Sequence, residues 1–362
     1  MREAVRALLD VPAAFAAKRG FEKIQRSRAR ELRVGFGGVL EDGRPIHGGA
    51  VKLLPLQRAF GGDETECHFL YAVSSSPPRF AEGLFAECRR KGIKIVWNQN
   101  GVGYPAWAGG ESSRFNEPMR RLGAMADFVV FQSEYCRVSA EKFLGRWDKP
   151  SAVLYNPVDV ETFRPNVQLR SEKNTRLLAA GTHGTRDRVI PILDALSALG
   201  KGGLDAKLTV AGSFRWRDGE EDFRREVELR GLGTKVRRVA AFSQADAAEL
   251  YRAHDILVHP KYMDPCPTVV LEAMACGLPI VGSRSGGMPE IVSEECGVLI
   301  DVPLDWNVRH ALTGDQIADG VTNVIRFYSE MSSAARQNAE RRFAVGGWLR
   351  AHGDIFRSIW SS

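Results

Sequence analysis

Twice along this chain, short runs of apolar residues without polar alternation are separated by longer stretches of helical period. A strand that is apolar on both faces must be covered on both, so the pattern predicts parallel sheets sheathed by helices. In the first series the expected strands are Leu32–Phe36, His68–Val73, Ile93–Asn98, Phe128–Gln132 and Val153–Tyr155, with helices near 79–91, 112–126 and 133–144. The second series expects strands at Arg176–Ala180, Lys207–Ala211, Lys235–Val239, Ile256–Val258, Leu278–Val281 and Gly297–Ile300. Its helices fall near 187–199, 219–230, 243–253 and 268–276. Between the two lie Asn156-Pro157-Val158-Asp159, Phe163-Arg164-Pro165 and a polar run to Asn174, with no apolar period. Such a stretch reads as a linker. The fold class expected is therefore α/β, with two Rossmann-like, doubly wound parallel-sheet domains facing a cleft. Ligands of these sheets sit beyond the carboxyl ends of the strands.

Charge narrows the function classes. Of a net charge of +6, residues 1–30 alone hold a surplus of five, eight Lys/Arg against three acids. The rest of the 362-residue chain is close to neutral, which speaks against a nucleic-acid binder with a basic folded face. Residues 1–30 also carry Val5, Leu8, Leu9, Phe15, Phe21 and Ile24, so an anionic membrane surface is one partner to expect there. A helix packed on the body or a frayed extension is the other reading. There is no apolar stretch of membrane-spanning length and no signal-peptide pattern, so a cytoplasmic protein, in part peripheral at the inner membrane face, is expected. Six scattered cysteines without a Cys-x-x-Cys pair predict reduced, buried thiols. A final helix over about 346–360 carries Trp348, Leu349, Ile355, Phe356, Ile359 and Trp360 on one period and must pack on something.

The chemistry is concentrated between Asp264 and Glu290, in DPCPTVVLEAMACGLPIVGSRSGGMPE. The strand Ile256–Val258 ends at His259-Pro260, a loop follows, and Thr268 is placed to cap a helix carrying Glu272. Unpaired first-turn amides and the positive end of the helix dipole suit a phosphate there. A carboxylate at Glu272 suits a pair of adjacent hydroxyls, as a ribose presents them. Gly277 ends the helix, and Gly286-Gly287 forms a second turn open to close backbone approach.

These residues resemble glycosyltransferase family 4, the retaining GT-B enzymes. The shared signature is two acidic residues eight apart (Asp264 and Glu272), then Ala273 to Pro279, then Gly286 to Glu290. The resemblance implies that Glu272 holds the ribose, that Asp264 lies near the donor sugar, and that the backbone of Cys266, Pro267, Thr268 and Val269 lines sugar and diphosphate. It places Gly48 and Gly49 opposite the donor phosphates. With the basic extension 1–30 set apart, the resemblance implies an acceptor domain 31–165, a donor domain 166–345 and a returning helix 346–362. Gln132-Ser133-Glu134 and Asn156 to Phe163 match the family's domain-closing elements.

Two departures stand out. The first acid is Asp264 rather than glutamate, and Asn100 occupies the position where many members carry a histidine that contacts the sugar. The amide can hydrogen-bond but cannot titrate. After the strand Arg176–Ala180 the loop reads Gly181, Thr182, His183, Gly184, Thr185, Arg186, Asp187, Arg188. Arg188 is the expected diphosphate residue and Arg186 the fallback. Gly101-Val102-Gly103 imitates a dinucleotide fingerprint but lacks its context. His183, His254 and His259 have no metal-ligand spacing and no Asp-x-Asp occurs, so a metal-independent enzyme without a resident cofactor is expected.

The reaction expected is transfer of a sugar from a nucleotide-diphosphate sugar donor to a hydroxyl of a saccharide or lipid-linked acceptor, as in bacterial surface polysaccharide or glycolipid synthesis. Two alternatives stay open: a nucleotide-sugar epimerase or isomerase of the same architecture, and a catalytically weakened sugar-nucleotide-binding subunit.

Overall fold

The computed structural model describes residues 23–40, 49, 51–62, 64–165 and 174–360. The expectations for residues 1–22 and for Gly48 lie outside the described residues. The chain separates into two compact units, residues 1–155 with 348–362, and residues 156–347. The segment Asn156–Pro165 therefore counts with the second unit. Its Val158 is held from both sides, its N–H donating to Phe343 O (2.8 Å) and its carbonyl accepting from Val345 N–H (3.0 Å).

The first unit is built on a parallel sheet of five strands, β2 (Val34–Gly35), β4 (Phe69–Val73), β5 (Lys94–Gln99), β6 (Phe128–Phe131) and β7 (Ser151–Val153), neighbours in chain order. Lys23 to Arg30, expected as the end of the extension, instead contribute β1 (Gln25–Arg26), which pairs in parallel with β3 (Glu66–Cys67). Helices α1 (Leu53–Phe60), α2 (Ala81–Arg90), α3 (Ser112–Met125) and α4 (Glu134–Phe143) connect the strands. On one face Phe69, Tyr71, Val73, Val96 and Val130 pack against Leu53 and Leu56 of α1 and against Trp348, Ile355, Phe356 and Ile359 of the last helix. On the other face Trp97 meets Phe85 of α2 edge-on at 5.9 Å. Both faces are thus dry, which is why the strands show no polar alternation.

The second unit carries six parallel strands, β8 (Thr175–Ala180), β9 (Ala206–Ala211), β10 (Val236–Val239), β11 (Ile256–His259), β12 (Ile280–Arg284) and β13 (Gly297–Asp301). They lie in the order β10-β9-β8-β11-β12-β13. The order reverses between β8 and β11, the switch point where doubly wound sheets bind ligands. Helices α5 (Ile190–Lys201), α6 (Gly219–Leu229), α7 (Gln244–Arg252), α8 (Thr268–Ala275), α9 (Gly314–Arg326) and α10 (Tyr328–Asn338) surround it, and α11 (Val345–Trp360) follows. A continuous core of Leu177, Leu193, Leu196, Leu208, Val210, Ile256, Val281, Ile317 and Val321 lies beneath α5 and α9.

All six cysteines are buried and free. Among the described residues no helix is long and apolar enough to cross a membrane. Pattern reading placed no helices at Leu53–Phe60, Gly314–Arg326 or Tyr328–Asn338. The last of these is mostly polar, with only Ala335 and Asn338 buried. The strand expected at Leu278–Val281 starts instead at Ile280, because Gly277 takes φ +78 and closes α8 by donating to Met274 O (2.9 Å).

Candidate functional site

The carboxyl ends of β8, β11 and β12 are neighbours, so three loops meet there: Gly181–Arg188, Tyr262–Pro267 and Ser285–Gly287. Asp264 is buried. Its Oδ2 accepts from His259 Nε2 at 3.0 Å and pairs with Lys261 Nζ at 2.8 Å. Burial would raise this carboxyl, but Lys261 and the His259 hydrogen bond outweigh burial and hold it far below the ordinary carboxylate range. Asp264 is therefore held as the anion. Oδ2 is thus taken by two donors.

The loop is fixed from behind. Gly287 N–H donates to Asp264 O (2.8 Å), Met263 N–H donates to Ser285 Oγ (2.8 Å), and Ser285 Oγ lies 2.7 Å from Ser283 Oγ. Gly286 sits at φ +63, where a Cβ would stand 2.5 Å from Asp264 O. Only glycine fits so close to another backbone. Met263 itself takes φ +51, a conformation costly to a residue with a side chain and held by these bonds.

Helix α8 begins just beyond. Pro267 is its N-cap and no side chain caps it, so Thr268 is the first helical residue, not the cap that its position suggested. Its first-turn amides remain without a side-chain partner, at the positive end of the helix. The turn before it is anchored by Asn156, whose Nδ2 donates to Cys266 O at 2.8 Å. One turn on, Glu272 is half-buried, and Oε2 accepts from the hydroxyl of buried Tyr251 at 2.8 Å.

In the loop after β8 the candidates part ways. His183 is buried; its ring lies 3.1 Å from Ala211 O, an acceptor, so Nε2 carries the proton. Burial pushes its pKa down to about 4, helped by the charges of Arg238, Arg188 and His259, so it is a neutral brace between strand ends. Arg186 turns away to the carboxylates of Asp222 (2.7 Å) and Glu226 (2.5 Å) on α6. Arg188 folds back over the loop, donating to Thr182 O at 3.1 Å and lying against Gly184. Exposed Thr182 stands at its rim. His254 is occupied structurally, against Leu250 O and Thr209 Oγ1.

The first unit has a polar cluster of its own at its strand ends. Buried Lys52 donates to three amide oxygens, those of Asn98 (2.7 Å), Asn100 (2.9 Å) and Gln132 (3.2 Å). Asn100 is buried too; its Nδ2 donates to Ser75 Oγ (2.7 Å), and its N–H to Ser74 Oγ (2.9 Å). Gly49 lies so near that a Cβ would be 2.4 Å from Asn100 Nδ2 and Ser75 Oγ. The Asn100 carboxamide is thus engaged by Lys52 on its oxygen and by Ser75 on its nitrogen. Gly103 of the apparent dinucleotide fingerprint is clamped by Asn116, which bonds both its N–H (2.7 Å) and its carbonyl (2.8 Å).

Sequence reasoning missed Lys52, Lys261 and Tyr251. Lys52 had a visible signal, a lysine in the apolar run Val51 to Leu54 after two glycines, and Tyr251 another, a phenol on the apolar face of a helix.

The family model described as glycosyl transferases group 1 matches residues 160–340, half of the chain and all of the strand ends described for the second unit. The chain belongs to this family. Among relatives of the group 1 chain, the GDP-mannose-dependent alpha-(1-6)-phosphatidylinositol monomannoside mannosyltransferase of Mycolicibacterium smegmatis is 28% identical over 64% of this chain and 60% of that protein. The D-inositol 3-phosphate glycosyltransferase of Corynebacterium kroppenstedtii is 30% identical over 42% of this chain and 38% of its own length. The chain thus spans at most about 60% of the curated relatives it matches first. In fold it is similar to the UDP complex of HepE from Anabaena, with a TM-score of 0.65, 17% identity, and coverage of 85% of this chain and 82% of that one. Sucrose-phosphate synthase from Thermosynechococcus elongatus gives 0.63 at 17% identity, covering 86% and 77%. The group 1 chain has the GT-B fold.

Proposed function

We propose that this chain is a retaining, family 4-like glycosyltransferase that moves a sugar from a nucleotide-diphosphate donor to a hydroxyl of a saccharide or lipid-linked acceptor. The observation that carries the proposal is the arrangement about α8: an ionised Asp264 before its N-terminus, an N-terminus with no side-chain cap, and Glu272 in its second turn. In this reading Glu272 accepts hydrogen bonds from the ribose. The diphosphate rests on the Thr268 and Val269 amides with Arg188 as its cation, and Asp264 accepts from a hydroxyl of the donor sugar. Charge developing on the leaving diphosphate is met by fixed dipoles and arginine, so no metal is required.

The bond between the sugar's anomeric carbon and the diphosphate oxygen breaks, and one to the acceptor oxygen forms. The acceptor's proton passes to the diphosphate, which leaves as the nucleoside diphosphate. Retention of configuration is taken from the family resemblance. An acceptor of glycolipid type fits the mannosyltransferase relative, and the basic residues 1–30 fit work at an anionic membrane face. Thermal shift with UDP, GDP, ADP and their sugar conjugates, in the presence of a chelator, tests the proposal. A ligand at ~100 times its dissociation constant stabilises the fold by about 2.7 kcal/mol. Stabilisation of wild type but not of Glu272→Ala supports the site; no response to any nucleotide overturns it.

A further inference from the structure

Tyr251 lies in the last turn of helix α7 with its ring wholly buried. The ring stands edge-on to Phe163, with centroids 5.9 Å apart at 65°. Phe163 is itself held: its N–H donates to Asp159 O (2.9 Å), and its carbonyl accepts from Arg336 Nη1 (2.7 Å). The same Arg336 nitrogen reaches Ala275 O, at the end of α8, at 2.7 Å. One short segment therefore braces both the phenol and the helix that carries Glu272. Packing alone does not call for a hydroxyl here, since phenylalanine would fill the same space. A buried phenol needs an acceptor, and this one spends its proton on Glu272 Oε2 at 2.8 Å. Burial and the Glu272 charge push Tyr251 well above its ordinary value, so it stays a donor at any working pH.

A glutamate has three side-chain torsions, and a half-exposed one samples many of them. The Tyr251 bond removes that freedom on the side away from solvent. A carboxylate offers about four lone-pair positions, so an oxygen that accepts from the phenol keeps capacity for a ligand hydroxyl.

We propose that Tyr251 is a positioning residue for Glu272, setting the carboxylate plane for two adjacent ribose hydroxyls so that the site selects a ribonucleoside diphosphate over its deoxy counterpart. This rests on Glu272 being the ribose residue, as proposed above.

The test is calorimetric titration of the whole chain with whichever of UDP, GDP and ADP binds most tightly, and with the 2′,3′-dideoxy form of the same nucleotide. Wild type is expected to prefer the ribonucleotide by about tenfold or more, the weight of a hydrogen bond to a charged group. In Tyr251→Phe that preference falls to about threefold or less, through weaker ribonucleotide binding, while dideoxy binding is unchanged. In a Glu272→Ala background Tyr251→Phe has no further effect, as expected of residues acting through one contact. Should Tyr251→Phe not fold, Phe163→Leu, which frees the ring to shift, carries the same expected loss of preference. If wild type binds both nucleotides alike, or none, the ribose assignment of Glu272 fails and Tyr251 with it. If wild type discriminates and Tyr251→Phe discriminates equally, the role of Tyr251 alone is overturned.

Discussion

The side-chain amide of Asn156 donates to the Cys266 carbonyl at 2.8 Å, so the segment preceding the second unit's first strand fixes the turn that enters α8. Both residues are buried, and the Asn156 N–H also points at Cys266 Sγ, at 3.4 Å. Removing the amide deletes this buried hydrogen bond, at a cost of about 1 kcal/mol or more. Asn156→Ala is expected to lower the melting temperature by several degrees. It should also weaken nucleoside diphosphate binding, because the Cys266–Thr268 backbone loses its anchor. Thermal melting with and without nucleotide separates the two effects, and equal nucleotide stabilisation in wild type and variant would deny the second.

Two of the buried histidines, His183 and His352, make stability depend on pH. His352 is buried; its Nδ1 donates to Trp348 O (2.9 Å), and its Nε2 accepts from Tyr71 O–H (3.0 Å). Burial pushes its pKa down to about 4, as it does for His183. Because these folded-state values lie below the unfolded value near 6.5, the stabilisation is complete above pH 6.5. It is lost as pH falls from there toward 4. His352→Gln keeps an acceptor for Tyr71 but cannot titrate. It should be less stable than wild type at pH 7, with the gap narrowing by roughly 2 kcal/mol at pH 5. Urea unfolding at the two pH values measures this, and a constant gap would mean that His352 does not titrate as described.

Much of this was legible because strands buried on both faces leave unbroken apolar runs, and because acids eight apart around an apolar helix make a specific signature. What escaped notice depended on contacts between distant parts of the chain. Lys52 meets Asn98, Asn100 and Gln132, which lie 46 to 80 residues away. Local spacing could not show that Asn100 would be taken up by Lys52 and Ser75. Nor could it show that Arg186 would be drawn to two carboxylates on α6, leaving Arg188 beside the loop. Thr268 has the chemistry of an N-cap, but Pro267 takes that place in extended conformation (φ −71°, ψ 117°).

That contrast between arginines gives a direct comparison. Arg188→Ala is expected to weaken nucleoside diphosphate binding by about tenfold, the scale of a charge-assisted hydrogen bond. Added salt should narrow its difference from wild type. Arg186 is half-exposed and serves Asp222 and Glu226, so Arg186→Ala should leave nucleotide affinity within about twofold and cost at most about 1 kcal/mol of stability. Titrations at two salt concentrations decide between them; the reverse pattern would make Arg186 the phosphate residue.

Gly286 is the position where a single methyl would press directly on the Asp264 loop. Its φ of +63 already disfavours any side chain, and the added Cβ would lie 2.5 Å from Asp264 O and 2.6 Å from Met263 C. Both are backbone atoms, locked by the Gly287 and Ser285 hydrogen bonds, so neither can move aside alone. Gly286→Ala is expected to cost about 2–4 kcal/mol and to displace Asp264, removing nucleotide-sugar binding as well as stability. Gly231→Ala separates clash from conformation: φ is +64 there, but nothing lies within 4 Å of the added Cβ. That control should cost only about 1 kcal/mol and leave binding intact. If melting and binding respond alike in the two variants, the close backbone contact between Gly286 and Asp264 does not hold the site.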